Sequence, residues 1–265
     1  MKFDGREFAR EIEAILRQRL RSGMRVPKVV SVLVGSDPAS ELYTKLKTEA
    51  AQRVGIEYEV VRIEREKGRV EELRKLISKI GEREEVTGVM VQMPIPGLTR
   101  AEMEEVVCAI PLQKDVDGLR WEESGKIPAT VKAIFLILEK IQVDKGADIY
   151  NKNYVVVGSH GSVGKPLVHF LKDKGVGEIE EVNSQTGEKQ EILKKAEVVI
   201  SCVGKEGVIT GEMVSEGAIV IDVGSPRGDM TEEVYQKATV AVPAPGGVGP
   251  VTVASLMENA AEVVE

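Results

Sequence analysis

Residues 154–166 read YVVVGSHGSVGKP, an apolar run that stops at Gly158 and then passes Gly161 and Gly164 into a new apolar-periodic stretch. A strand, a glycine-rich turn and a helix in that order pack in few ways. The helix covers the strand, and the next strand returns parallel to the first. Glycines also let the turn backbone approach a pyrophosphate, while the helix start offers free N–H groups and the positive end of its dipole. The spacing is G-x-x-G-x-x-G rather than G-x-G-x-x-G, so plain turn chemistry is an alternative for this segment alone. About twenty residues on, where an acid binds the ribose of NAD, stand the neutral Asn183 and Ser184. No arginine follows Gly158 to grip a 2′-phosphate, so these residues do not separate NAD from NADP.

The strand–helix rhythm runs through the whole chain. Phe8, Ile12, Ile15, Leu16 and Leu20 recur at helical spacing over 5–21. KVVSVLV at 28–34 reads as a buried strand, 39–54 as a helix stopping at Gly55, 57–63 as a strand and 69–81 as a helix. GVMVQ at 88–92 is a short strand, followed by a helix from Thr99 to about Ala109. Residues 111–130 lose the period and gather proline, glycine and charge, which marks a loop between domains. A helix over about 131–143 leads out of it, and another follows the glycine turn to about 174. Short strands are expected at 179–182, 197–202, 218–223 and 239–242, and an amphipathic helix at 251–264. The fold class is therefore α/β, and 265 residues accommodate two modest domains.

Composition removes several function classes. Aromatic residues are only 4%, so the core falls to Val, Ile, Leu and Ala. A formal net charge of −7 repels phosphate backbones and argues against a nucleic-acid partner. Cys108 and Cys202 are too few for a disulfide framework or a cysteine-rich metal site, and their apolar neighbours predict burial. His160 and His169 are too few for a histidine-based metal centre. No apolar run reaches the ~18 residues of a membrane span, and charges interrupt the first twenty residues, unlike a signal peptide. The expected location is the cytoplasm.

Four polar side chains stand out. Tyr43 and Lys47 are four apart and share a helix face behind Asp37–Pro38, a helix-start signal. A lysine near a helix N-terminus meets an unfavourable dipole, which lowers its pKa toward acid–base use. A solvated lysine on an ordinary helix is the plain alternative. Gln92 closes the strand GVMVQ before Met93-Pro94, at a strand end where α/β sheets bind ligands. Asp115 and Asp117 in KDVDG form either a turn or two carboxylates facing a ligand. VPAPGGVGPVT at 242–252 reads as a stiff loop with exposed backbone groups.

In this order the motifs resemble the methylenetetrahydrofolate dehydrogenase/cyclohydrolase family. The likeness rests on VGSDPAS-x-x-Y-x-x-x-K at 34–47, GVMVQMPIP at 88–96, KDVDG at 114–118, VVVG-x-x-x-x-VGKP at 155–166, VIDVG at 220–224 and PGGVGPVT at 245–252. It implies two α/β domains around a cleft. The folate domain would span 1–127 with a closing helix at 251–265, and the Rossmann-like NAD(P) domain 128–250. It implies oxidation of 5,10-methylenetetrahydrofolate with NAD or NADP and hydrolysis of the methenyl product to 10-formyltetrahydrofolate. Lys47 is then the catalytic lysine, with Tyr43 stacked on the folate, Gln92 setting the lysine's protonation and Asp117 on the pterin edge. Val91, Met93, Asp115 and the loop Pro245, Gly246, Gly247, Val248 and Gly249 join the substrate site. Gly158, Ser159, His160, Val163, Gly164, Ser184 and Ser225 line the cofactor. A homodimer is implied, with the apolar strands near 182 and 200 as candidate interfaces.

The chain departs from the family mainly in the cofactor half. Ser159-His160 stands where the family has Arg-Ser, Asn183 where it has His, and Pro128-Ala129-Thr130-Val131 where it has Pro-Cys-Thr-Pro. The loss of the arginine suggests weakened NADP preference, and a protonated His160 is the first candidate to replace its charge. A short-chain dehydrogenase also carries Y-x-x-x-K, but with the glycine turn ahead of the tyrosine. A monofunctional relative and a non-catalytic folate or nucleotide sensor remain as alternatives, and turnover separates them.

Overall fold

The computed structural model describes residues 1–23, 25–64, 69–146 and 148–264. Glu265, part of the expected closing segment, lies outside them. The chain divides into two compact units, Arg10–Ala129 with Val253–Glu265, and Met1–Ala9 with Thr130–Thr252. Both are therefore discontinuous in sequence. The first nine residues group with the glycine-turn unit, not with the residues that follow them.

In the Arg10–Ala129 unit the order is α1 (Gly5–Arg21), β1 (Lys28–Val34), α2 (Pro38–Val54), β2 (Glu57–Ile63), α3 (Val70–Gly81), β3 (Gly88–Val91), α4 (Arg100–Val107) and a short α5 (Trp121–Ser124). The three strands form a parallel sheet in the order β2-β1-β3, with Lys28 opposite Glu57 and Val29 opposite Gly88. Side chains alternate across β1, as the strand period requires. Val30, Val32 and Val34 pack with Leu73, Ile77 and Ile80 of α3 and Val106 of α4. On the other face Val29 joins Leu16, Leu20, Ala50, Ala51 and Val54. That face also takes Val253, Leu256, Met257, Ala260 and Ala261 from the closing helix. Burying a side chain such as Leu256 is worth about 1.5–3 kcal/mol, so this helix is part of the unit's core. α5 lies in the segment expected to be only a loop.

The other unit continues with α6 (Ala129–Lys145), β4 (Tyr154–Val157), α7 (Gly164–Asp173), β5 (Ile179–Val182), α8 (Lys189–Lys195), β6 (Val198–Ser201), β7 (Ile219–Asp222), α9 (Glu232–Lys237), β8 (Val240–Val242) and α10 (Val248–Glu262). Its five parallel strands run β5-β4-β6-β7-β8. β6 is internal to the sheet and buried at every residue, so the stretch near 200 is not an interface edge. β5, near 182, is the outer strand. α10 starts three residues before the expected 251. A proline in a helix's first turn loses no bond, because its missing N–H has no partner there, and Pro250 is thus tolerated.

The N-terminal segment pairs along β8. Ala241 N donates to Met1 O and Phe3 N to Ala241 O, both at 2.8 Å, and Gly5 N donates to Gly246 O at 3.1 Å. These bonds satisfy backbone groups on an otherwise open sheet edge. Gly5 is also packed so closely on the Gly246–Gly247 backbone that a Cβ would lie 1.8 Å from Gly247 O. Cys108 is exposed and Cys202 half-buried, so the burial expected of both fails at Cys108. Cys108 follows the last turn of α4, whose inward positions are taken by Val106 and Val107. Among the described residues no helix is long and apolar enough to cross a membrane.

Candidate functional site

Both sheets place their first strand between later ones, β1 between β2 and β3, and β4 between β5 and β6. Such switch points open crevices outside the carboxyl ends of the strands. In the three-stranded sheet the helix following β1 is α2. Asp37 caps it, with Oδ2 accepting from Ser40 N at 2.9 Å, and Pro38 occupies its first turn. The helix ends at Gly55, whose φ of +90° suits glycine alone.

Lys47 is the tenth residue of α2, counting from Pro38. It is therefore well past the first turn, where the helix dipole acts. The expected dipole effect does not apply. Lys47 is 7% exposed, and burial pushes its ammonium well below the usual lysine range, while the Asp117 carboxylate works the other way. The direction expected from the sequence holds, with a different cause. Lys47 Nζ donates to Gln92 Oε1 at 2.9 Å, and Gln92 Nε2 donates to Met93 O at 3.0 Å. Both ends of the Gln92 amide are thus fixed, and the lysine nitrogen is aimed at a neutral acceptor.

The KDVDG segment runs beside β3 through a parallel bridge between Val89 and Asp115. Two residues on, the half-buried Asp117 is carried toward the carboxyl end of β3, where Gln92 stands. Asp115 is fully buried and accepts from Leu119 N and Arg120 N, at 3.2 and 2.8 Å. Burial pushes its carboxyl up, against the Arg120 N–H. Its carboxylate holds the loop together rather than facing outward. Val91 is in the core, which leaves only its main chain for a ligand, while Tyr43 and Met93 are half-buried. Lys47, Gln92 and Asp117 are therefore brought together with Tyr43 four residues along the same helix.

In the five-stranded sheet β4 ends at Gly158, with φ +83°. A Cβ there would meet Cys202 O, at the end of β6, at 2.7 Å. A Cβ on Gly164 would lie 2.2 Å from Gly158 O. The turn is drawn in as tightly as main chain allows, and α7 has no side-chain cap over its first N–H groups. This cradle fits a pyrophosphate. Val163 is half-buried and His160 exposed. Ser159 is 1% exposed and its hydroxyl has no partner among the described residues. Ser184 and Ser225 are exposed beyond β5 and β7, at the same end of the sheet. In the PGGVG segment Pro245 is exposed, Gly246 has φ +105°, Gly247 and Val248 are buried and Gly249 is half-buried.

Two buried carboxylates escaped the sequence reading. Asp222 accepts from Gly224 N, Asp229 N, Met230 N and the Tyr235 hydroxyl. Asp229 accepts from Ser201 Oγ, Val203 N and Lys205 N. Together they fix the loops leaving β6 and β7. Asp222 had one sequence signal, an aspartate closing the apolar run 218–221, and Asp229, in the polar stretch SPRGDM, had none.

Comparison with known proteins agrees with this geometry. Residues 3–117 match the family described as tetrahydrofolate dehydrogenase/cyclohydrolase, catalytic domain, and residues 128–265 match its NAD(P)-binding domain. The chain is 38% identical to the bifunctional protein FolD of Exiguobacterium over 279 residues, covering 98% of this chain and 97% of the relative. The crystal structure of the bifunctional enzyme FolD from Campylobacter jejuni superposes with a TM-score of 0.87 at 29% identity, covering 100% of this chain and 98% of that one. The Trypanosoma brucei enzyme, solved with NADP and an inhibitor, gives 0.87 at 27% identity, with 100% and 97% covered. Two α/β units, the second an NAD(P)-binding domain of Rossmann-like fold, and a buried lysine on the first describe one lineage: the chain belongs to the tetrahydrofolate dehydrogenase/cyclohydrolase family.

Proposed function

We propose that the chain oxidises 5,10-methylenetetrahydrofolate to the methenyl form with an oxidised nicotinamide dinucleotide and hydrolyses that product to 10-formyltetrahydrofolate. The observation that carries the reading is the buried Lys47 amine held 2.9 Å from Gln92 Oε1. An amine whose pKa burial lowers gives up its proton more readily than a solvated lysine does, and it can exchange protons with a water or a tetrahedral intermediate. Gln92 Oε1 fixes one Nζ–H and so aims the nitrogen's remaining valences. Tyr43 offers its ring to the folate, and the Asp117 carboxylate accepts from the paired N–H groups of the pterin edge. Main-chain groups of Met93 add to the substrate contacts. Asp115 acts by shaping the loop that presents Asp117.

Gly158, Val163 and Gly164 would hold the pyrophosphate, with Ser184 and Ser225 toward the two riboses. When bound, the oxidised nicotinamide supplies the hydride acceptor. The protein's part in that step is positioning. Ser159 has no solvent-facing hydroxyl to offer a 2′-phosphate, so the contact that the family's arginine makes is moved elsewhere or lost.

The test is the initial rate of methylenetetrahydrofolate oxidation with NAD+ and NADP+ side by side, together with direct hydrolysis of the methenyl compound. Hydrolysis without oxidation would leave a cyclohydrolase alone, and binding without turnover a sensor. Gln92→Ala is expected to slow hydrolysis by about 10–100-fold, the worth of one hydrogen bond to a charged group, and to shift the pH–rate profile. A wild-type pH profile in that variant would remove Gln92 from the proton chemistry. The family likeness also supports a cytoplasmic homodimer, with β5 as the open sheet edge. Light scattering at the monomer mass would reject the dimer.

A further inference from the structure

The last helix reaches back to the segment that carries Asp117. From Val253 onward α10 belongs to the same unit as KDVDG. Its apolar positions, among them Leu256, Met257 and Ala260, share one core cluster with Val116. Within that stretch stands a half-buried polar residue, Asn259, one turn beyond Leu256. Asn259 Nδ2 donates to Val116 O at 3.0 Å and to Ile127 O at 3.4 Å. Val116 O belongs to the peptide that leads into Asp117.

The two acceptors lie where two stretches of loop run side by side. Ala129 N donates to Asp117 O at 3.1 Å. Gly118, with φ +69°, sits so close to the other stretch that a Cβ would lie 2.7 Å from Pro128 Cα and 3.0 Å from Ile127 C. A single backbone bond holds two irregular stretches poorly, because neither has a ladder to fix its register. The amide of Asn259 has two N–H donors, and it ties a carbonyl on each stretch. Without it, Val116 O in the protein interior would lose its donor, which is costly for a buried backbone group.

The Asp117 carboxylate depends on this tie. It makes no hydrogen bond among the described residues, in contrast to Asp115, so the main chain is what aims it. That main chain is held at Val116 O by Asn259 and at Asp117 O by Ala129 N. We propose that Asn259 is a positioning residue for folate binding, which acts through Asp117 by fixing the peptide from which that carboxylate projects. The inference rests on reading Asp117 as the contact to the pterin edge. It gives the closing helix a part in substrate recognition as well as in the core.

The test is hydrolysis of the methenyl compound, supplied directly, by the full-length chain. Asn259→Leu keeps the helix and most of the volume and removes both donors. It is expected to raise KM about tenfold, the worth of one hydrogen bond, with kcat within about twofold, the pattern of lost binding rather than lost chemistry. Asn259→Asp keeps the shape and turns the donors into acceptors. It should raise KM at least as much, and it carries the test if the leucine variant does not fold. In an Asp117→Ala background no carboxylate is left to aim, so either Asn259 variant should change KM no further. A merely structural role would add its effect in both backgrounds. The inference is overturned, with Asp117 left standing, by a wild-type KM in the Asn259 variants, by a fall in kcat as large as the rise in KM, or by effects that multiply in the double variant. A wild-type KM in Asp117→Ala would instead sink the reading of Asp117, and this inference with it.

Discussion

Lys47→Met is expected to lower hydrolysis of the methenyl substrate by about 10²–10⁴-fold, the usual worth of a positioned acid–base group. Methionine fills most of the same buried space and removes the amine and its proton. Hydrolysis at the wild-type rate would take Lys47 out of the mechanism. The same variant carries a stability signature. Burial lowers the folded-state pKa of Lys47 below its ordinary value of 10.5. Between the two values the unfolded chain holds a proton that the native chain has released, so wild-type stability rises with pH through that window. Below the folded value both states are protonated and the penalty of burying the charge is fully felt. Denaturant titrations of wild type and Lys47→Met across the alkaline range should therefore diverge, with wild type gaining relative to the variant as pH approaches 10.5. A difference that stays flat, or moves the other way, would mean that the amine is not depressed in the folded protein.

Gly164→Ala is expected to remove dinucleotide binding and with it the oxidation. The added methyl would lie 2.2 Å from Gly158 O, 2.8 Å from Gly158 C and 2.9 Å from Ser159 Cα, all of them main chain. No rotamer relieves such a clash, so the turn itself must shift. Overpacking of this kind costs about 1–3 kcal/mol, and displaced N–H groups no longer converge on a pyrophosphate. Calorimetry with NAD+ and NADP+ reads the loss, expected at about tenfold or more. Hydrolysis of methenyl substrate supplied directly needs no dinucleotide and is the contrasting assay. Wild-type affinity for both dinucleotides would show that the glycine turn is structural only.

The strands were the most legible part of the sequence, because apolar runs such as KVVSVLV and YVVVG are bounded by glycine or proline and have one way to be buried. The bounds of 57–63 and 179–182 agree with β2 and β5 to the residue. The N-terminal pairing with β8 was not legible. MKFDG has no period, and its bonds reach residues more than two hundred positions away. The start of the closing helix slipped by three residues: it was expected at 251, but Val248, Gly249 and Pro250 form the first turn of α10. At the site, the residue types of Lys47, Gln92 and Asp117 were visible in their motifs. What displaced the dipole argument was burial, a tertiary property that no helix pattern contains. Asp115 and Asp117 looked alike in KDVDG, and only the loop's own N–H groups distinguish the buried brace from the half-buried carboxylate.

The interleaving of the two units has a consequence for how the protein emerges from the ribosome. The sheet of β1, β2 and β3 is complete once residue 91 is made, yet its α2-side core waits for Leu256, Met257, Ala260 and Ala261. The first residues wait in turn for Thr239, Ala241 and Gly246 before their backbone groups are paired. Neither unit closes its core or its sheet edge until almost the whole chain has been synthesised. For most of translation the nascent protein therefore carries an uncovered apolar sheet face, the state in which unpaired surfaces meet one another and aggregate. Final closure is a late, long-range event, and chaperone dependence during synthesis should exceed anything the finished protein's stability would suggest.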